Sequence, residues 1–161
     1  MKVIDDRLGK IRLYDNQLLG SGCYGKVYKS GNDKCFKLCK GENFGNDFIY
    51  IYDVIKDNNL KGFYKLISLL YSNSKDARKK ESPIGYEYQY VEKEDIDILT
   101  MPIEYTIDNL DVLYNSIAIL TKNNIRCLDF QEGNVIINSN NITAIDTDLY
   151  YGKYNDTMLA K

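Results

Sequence analysis

Apolar and polar positions first alternate in short runs divided by tight turns. Ile11 to Leu19 predicts a first strand, Gly20 to Gly25 a glycine-rich turn, and Lys26 to Ser30 a second strand. The turn Ser30-Gly31-Asn32-Asp33 closes that strand, and Lys34 to Cys39 forms a third. The period then lengthens. Asn46 to Asp57 and Leu60 to Ser72 read as helices; in the second, Leu60, Phe63, Tyr64, Ile67, Leu70 and Tyr71 share one face at helical spacing. Ser72 to Pro83 is polar and charged and reads as a loop. Ile84 to Val91 and Ile96 to Pro102 alternate as two strands of a hairpin around Glu92-Lys93-Glu94-Asp95. Thr106 can cap a helix that runs to about Asn123, with Leu110, Leu113, Ile117 and Leu120 as its buried stripe. Val135 to Ile137 and Ile142 to Ile145 form a last hairpin over Ser139-Asn140-Asn141.

The order predicts an α+β fold in two lobes. Residues 1–104 would carry a five-stranded antiparallel sheet with helical matter after the third strand. Residues 105–161 would carry a helix, a loop and a small hairpin. A second register makes Phe63 to Tyr71 the fourth strand instead of a helix.

Composition narrows the function. The chain has 161 residues, enough for one compact domain or two small lobes. Its net charge of −2 provides no broad positive field for a nucleic acid backbone, so no nucleic acid partner is expected. No apolar stretch approaches the roughly 20 residues that span a bilayer. The charged start, Met1 to Arg7, does not read as a secretory signal. The expectation from these features is a cytosol, that of the producing cell or of a host cell into which the protein is delivered. The four cysteines form no CxxC pair and read as reduced thiols. There is no histidine, which excludes every mechanism with a histidine base.

Three segments carry candidate chemistry. Gly20-Ser21-Gly22-Cys23-Tyr24-Gly25-Lys26-Val27 is a complete G-x-G-x-x-G-x-V. Glycines let the backbone close over a polyphosphate and turn N–H groups toward its oxygens. A dinucleotide fingerprint would open a helix. Here Val27-Tyr28-Lys29 continues as a strand, which also leaves room for a glycine-rich hairpin with no ligand. Lys34-Cys35-Phe36-Lys37 follows, with a small residue two positions before a lysine; Lys40 is the competing lysine. Third, Asp129-Phe130-Gln131-Glu132-Gly133-Asn134 has the spacing D-x-x-x-x-N. It lies between an amphipathic helix and an apolar hairpin that ends in Ala144-Ile145-Asp146-Thr147-Asp148. Carboxylates in such a place suit the hard divalent cations that accompany a triphosphate.

Taken together, these motifs resemble a eukaryotic-type protein kinase reduced to its minimum, from about Leu13 to Asp148. The small effector kinases of the OspG/NleH type, which enteric pathogens inject into host cells, are similar. The I-D-x-D segment also resembles the aminoglycoside-phosphotransferase-like kinases. The resemblance implies an ATP- and magnesium-dependent phosphotransferase acting on serine or threonine hydroxyls of a protein substrate. Gly20, Ser21, Gly22 and Gly25 would cover the phosphates, and Lys37 would bind them. Val27 and Cys35 would line the adenine pocket, with Met101 and Ile103 at its hinge near Met101 to Glu104. The second register would move that hinge to about Gln89 to Val91. Asp129 would act on the substrate hydroxyl, Asn134 and Asp146 would ligate magnesium, and Asp53 would orient Lys37.

The chain also departs from that family. Cys127-Leu128-Asp129 replaces H-R-D, so the arginine that pairs with a phosphorylated activation loop is absent. Gln131 replaces a lysine that contacts the γ-phosphate, and Asp146-Thr147-Asp148 replaces D-F-G. About 15 residues follow Asp146, too few for a helical subdomain that holds a peptide. The expectation is a strongly truncated second lobe and an activating protein partner that completes the substrate site. The alternatives are an ATP-binding pseudokinase acting as a regulatory module, a small-molecule kinase, and a structural interaction protein.

Overall fold

The structure, a computed structural model, describes residues 1–31, 33–40, 46–127 and 132–146. Where the sequence reading drew one boundary at 104, contacts group the chain into two compact units. The first is Met1–Tyr50 with Lys65–Tyr90, and the second is Ile51–Tyr64 with Val91–Lys161.

The first unit is built on one antiparallel sheet. Its strands are β1 (Lys2–Asp5), β2 (Lys10–Arg12), β3 (Leu18–Ser21), β4 (Gly25–Ser30), β5 (Lys34–Cys39), β6 (Leu66–Tyr71) and β7 (Gly85–Gln89). They lie in the order β2-β1-β6-β7-β5-β4-β3. The sheet thus has seven strands, not five. The N-terminal segment supplies two of them, and the expected first strand, Ile11 to Leu19, is broken by a 3-10 turn at Asp15–Gln17.

Two further corrections concern the middle of the chain. Leu66–Tyr71 is a strand, so the second register holds and the helix expected over Leu60 to Ser72 does not form. Five of its six side chains are buried, and a strand covered on both faces loses the alternation that would reveal it. The expected loop after it contains a short helix, α2 (Ser74–Lys79), whose start is capped by the Asn73 side chain accepting from Lys75 and Asp76 N–H. Ile96 to Pro102 forms no strand; it holds a 3-10 turn at Ile98–Thr100. β7 pairs with β5 and β6 instead.

One sheet face packs Val3, Leu13, Tyr28, Phe36, Leu38 and Leu70 into a core. Glu87 is buried among the same strands, at 2% exposure. Its carboxylate accepts from the Ser68 hydroxyl at 2.7 Å and pairs with Lys34 at 3.2 Å and Arg7 at 3.5 Å. This satisfies the charge that burial would otherwise penalise.

Helix α1 (Asn46–Asp57) matches its expected span, and the boundary between the units falls inside it. Within the first unit, its Phe48 ring stacks on Tyr86 with centroids 5.0 Å apart.

The second unit contains helix α3 (Ile103–Lys122) and the expected hairpin, β8 (Val135–Ile137) with β9 (Ile142–Ala144). Asn138 shapes the hairpin turn, its side-chain oxygen accepting from the Asn140 and Asn141 N–H groups. Helix α3 grips the hairpin through polar contacts. The Tyr105 hydroxyl donates to the Asn138 carbonyl, and the Asn109 side chain accepts from the Ile142 N–H. Segment 60–64 flanks β9, where the Ala144 N–H donates to Gly62 and the Ala144 carbonyl accepts from Tyr64. Among the described residues, no helix is long and apolar enough to cross a membrane.

Candidate functional site

In the first unit the glycine segment forms the turn between β3 and β4. Gly22 N–H donates to the Gly25 carbonyl at 2.9 Å, closing it. The three glycines differ. A side chain on Gly25 would meet the Leu38 carbonyl oxygen at 2.4 Å, so strand packing alone demands glycine there. At Gly20 and Gly22 an added Cβ would meet nothing within 4 Å. The protein's own packing does not explain those two, and the open space beside their backbone fits a ligand that approaches closely.

Register sets the next residues. Val27 stands opposite Lys37, and Lys29 opposite Cys35. Directly opposed residues share a face and alternate residues along a strand return to it. Val27, Cys35 and Lys37 therefore lie on one face of the sheet. Lys37 is 5% exposed and Cys35 1%. Burial pushes the Cys35 thiol above its ordinary range, against the opposing effects of a hydrogen bond with Tyr88 and the charge of Lys29. Lys29 also places its ammonium 3.9 Å from the centre of the Tyr90 ring.

Lys40, the competing lysine, has a different task. Its Nζ donates to the Gly22 carbonyl at 3.3 Å, and its backbone N–H donates to the Tyr24 carbonyl. It ties the glycine turn to the end of β5. Sequence reasoning also missed Gly85. A Cβ there would lie 2.1 Å from the Lys37 carbonyl oxygen, so β7 approaches the lysine strand as only glycine permits. The signal available was a lone glycine inside an alternating strand.

In the second unit, the β8–β9 register places Val135 opposite Ala144. The Ile145 N–H donates to the Asn134 carbonyl at 2.8 Å, extending the ladder by one step. Asn134 and Asp146 are thus brought to the same open end of the hairpin. Asp146 is half-buried and has a φ of 66°, the left-handed region that aspartate tolerates better than most residues. The chemistry of this pair, oxygen donors on neighbouring strand ends, fits magnesium. Among the described residues, no group of three or more histidines, cysteines and acids is arranged to hold a metal.

Asp129 lies outside the described residues, as do Leu128, Phe130, Gln131 and Thr147 onward. Asp53 is an exposed residue of α1 in the second unit, whereas Lys37 belongs to the first. The strand Ile96 to Pro102, at whose end Met101 and Ile103 were expected to form the hinge, does not form; Ile103 opens α3 at 68% exposure.

No protein-family model and no curated protein matches the chain. Among solved structures it is similar to the Legionella pneumophila Lpg2603 kinase bound to IP6, with a TM-score of 0.51 and 15% sequence identity. The match covers 89% of this chain and 53% of that one, so the chain spans about half the length of that kinase. At this identity the likeness shows a kinase-like fold.

Proposed function

We propose that this kinase-like fold is a phosphotransferase that uses ATP with magnesium and acts on protein serine or threonine hydroxyls. The observation that carries the reading is the register of β4 on β5. It sets Val27, Cys35 and Lys37 on one face, next to a glycine turn with open space beside Gly20 and Gly22. In this reading the first unit binds. The backbone of Gly20 to Gly22 lies over the polyphosphate, the Lys37 ammonium neutralises it, and Val27 and Cys35 offer apolar contact to the base. The end of β7 and the residues that follow it, Gln89 to Val91, serve as the hinge. Asn134 and Asp146 serve as magnesium ligands and Asp129 as acceptor of the substrate's hydroxyl proton. ATP supplies the transferable phosphoryl group, and magnesium screens its charge.

The test is incubation with γ-labelled ATP and magnesium, and a general protein substrate. Asp129→Ala and Lys37→Ala should each lower label transfer by about 100-fold or more, the scale of losing a positioned base or phosphate ligand. Equal transfer by parent and Asp129→Ala would refute the role given to Asp129. A parent chain that binds ATP without transferring label would be a pseudokinase.

A further inference from the structure

On the far side of the sheet order from the glycine turn, the first unit holds a cleft of about 800 Å³ lined by residues 2–4, 10–12 and 72–74. The β1–β2 register sets Lys2 directly opposite Arg12 and Ile4 opposite Lys10. Opposed residues share a face, so Lys2, Lys10 and Arg12 present three positive charges on one side of a two-stranded ribbon. Like charges directly opposed on a ribbon destabilise it. Nothing among the described residues offsets this. No carboxylate lines the cleft, and among the described residues none of the three cations has an ion-pair partner. On a chain with a net charge of −2, that concentration is a local exception.

The lining also defines the ligand. The volume lies within the roughly 300–1000 Å³ of small-ligand clefts. No aromatic side chain is present to stack a nucleobase. Asn73 caps α2 and its side-chain amide donates to the Ser72 hydroxyl oxygen, which fixes the loop; Ser72 and Ser74 line the same cleft as the cations. We infer that the cleft beside the β1–β2 hairpin binds a compact anion carrying two or more phosphate groups, either free or as the headgroup of a phosphorylated lipid. The inference does not depend on the ATP reading.

Calorimetric titration of the full chain with inorganic tripolyphosphate at physiological salt tests it. Saturable binding should weaken about tenfold in Lys10→Ala and again in Arg12→Ala, the scale of losing one charged hydrogen bond. Unchanged affinity in the double variant overturns the proposal, as does absence of binding to every phosphate probe. Amide NMR shifts in the parent chain provide a check that needs no variant. Shifts on residues 2–4, 10–12 and 72–74 support the cleft; shifts confined to residues 20–25 and Lys37 sink it. Co-sedimentation with phosphatidylcholine vesicles containing phosphatidylinositol bisphosphate, lost in the double variant, would assign the lipid source. Tripolyphosphate binding without co-sedimentation would assign a free anion.

Discussion

Cys23 and Cys35 show how far one residue type can diverge within a single sheet. Cys23 is exposed in the glycine turn; Cys35 is buried on β5, and its thiol is held in the neutral form by desolvation. Iodoacetamide should label Cys23 quickly and Cys35 only on unfolding, read by peptide mapping. The raised pKa also fixes a pH dependence. The folded state holds the proton more tightly than the unfolded state, so this contribution is intact below about pH 8.5 and is lost as pH climbs toward the folded thiol's higher value. Urea titrations across that alkaline window should show a steeper loss in the parent than in Cys35→Ala; equal slopes would exclude Cys35 as the cause. The glycines make a second contrast. Gly85→Ala drives a methyl group into the Lys37 carbonyl and should cost about 3 kcal/mol in chemical denaturation. Gly20→Ala enters open space and should stay within about 0.5 kcal/mol of the parent.

Among the elements, those bounded by clear turn punctuation were legible. β4, β5, α1 and the β8–β9 hairpin fall within a residue or so of their expected spans because turns and period agree there. β6 was misread because Leu-Ile-Ser-Leu-Leu-Tyr is apolar on both faces and happens to continue a helical spacing from Leu60. Helix α3 was found, yet its buried side was only half right. Leu113 and Leu120 are inside, joined by Ser116, whose hydroxyl donates to the Lys61 carbonyl; Leu110 is 48% exposed. A polar residue that finds a carbonyl can be buried where periodicity expects an aliphatic one. Leu120→Ala should therefore cost about 3 kcal/mol, and Leu110→Ala less than about 1 kcal/mol. Comparable urea midpoints for the two variants would show that α3 is placed wrongly.

For the whole chain, the α+β class could be read, but the sheet's membership could not. The N-terminal hairpin enters the sheet beside β6, some sixty residues away in sequence, as β1 pairs with Leu70 and Tyr71. Pairing at that separation depends on tertiary burial, which no local pattern records. The candidate site divides in the same way. Val27, Cys35 and Lys37 share a face because β4 and β5 are neighbours in sequence, so strand period alone aligns them. Asn134 and Asp146 come to the same end of a short hairpin, a placement that was equally legible. The segment proposed as a hinge was not, because its position depended on which distant strand lay beside β5.

The close approach at Gly85 also acts as an alignment key during folding. Sliding β7 by one residue against β5 would bring Ile84 or Tyr86 to a position with no room for a side chain, and would turn the faces of β7 over. A one-residue slip of β7 is thereby penalised at the strand that carries Lys37.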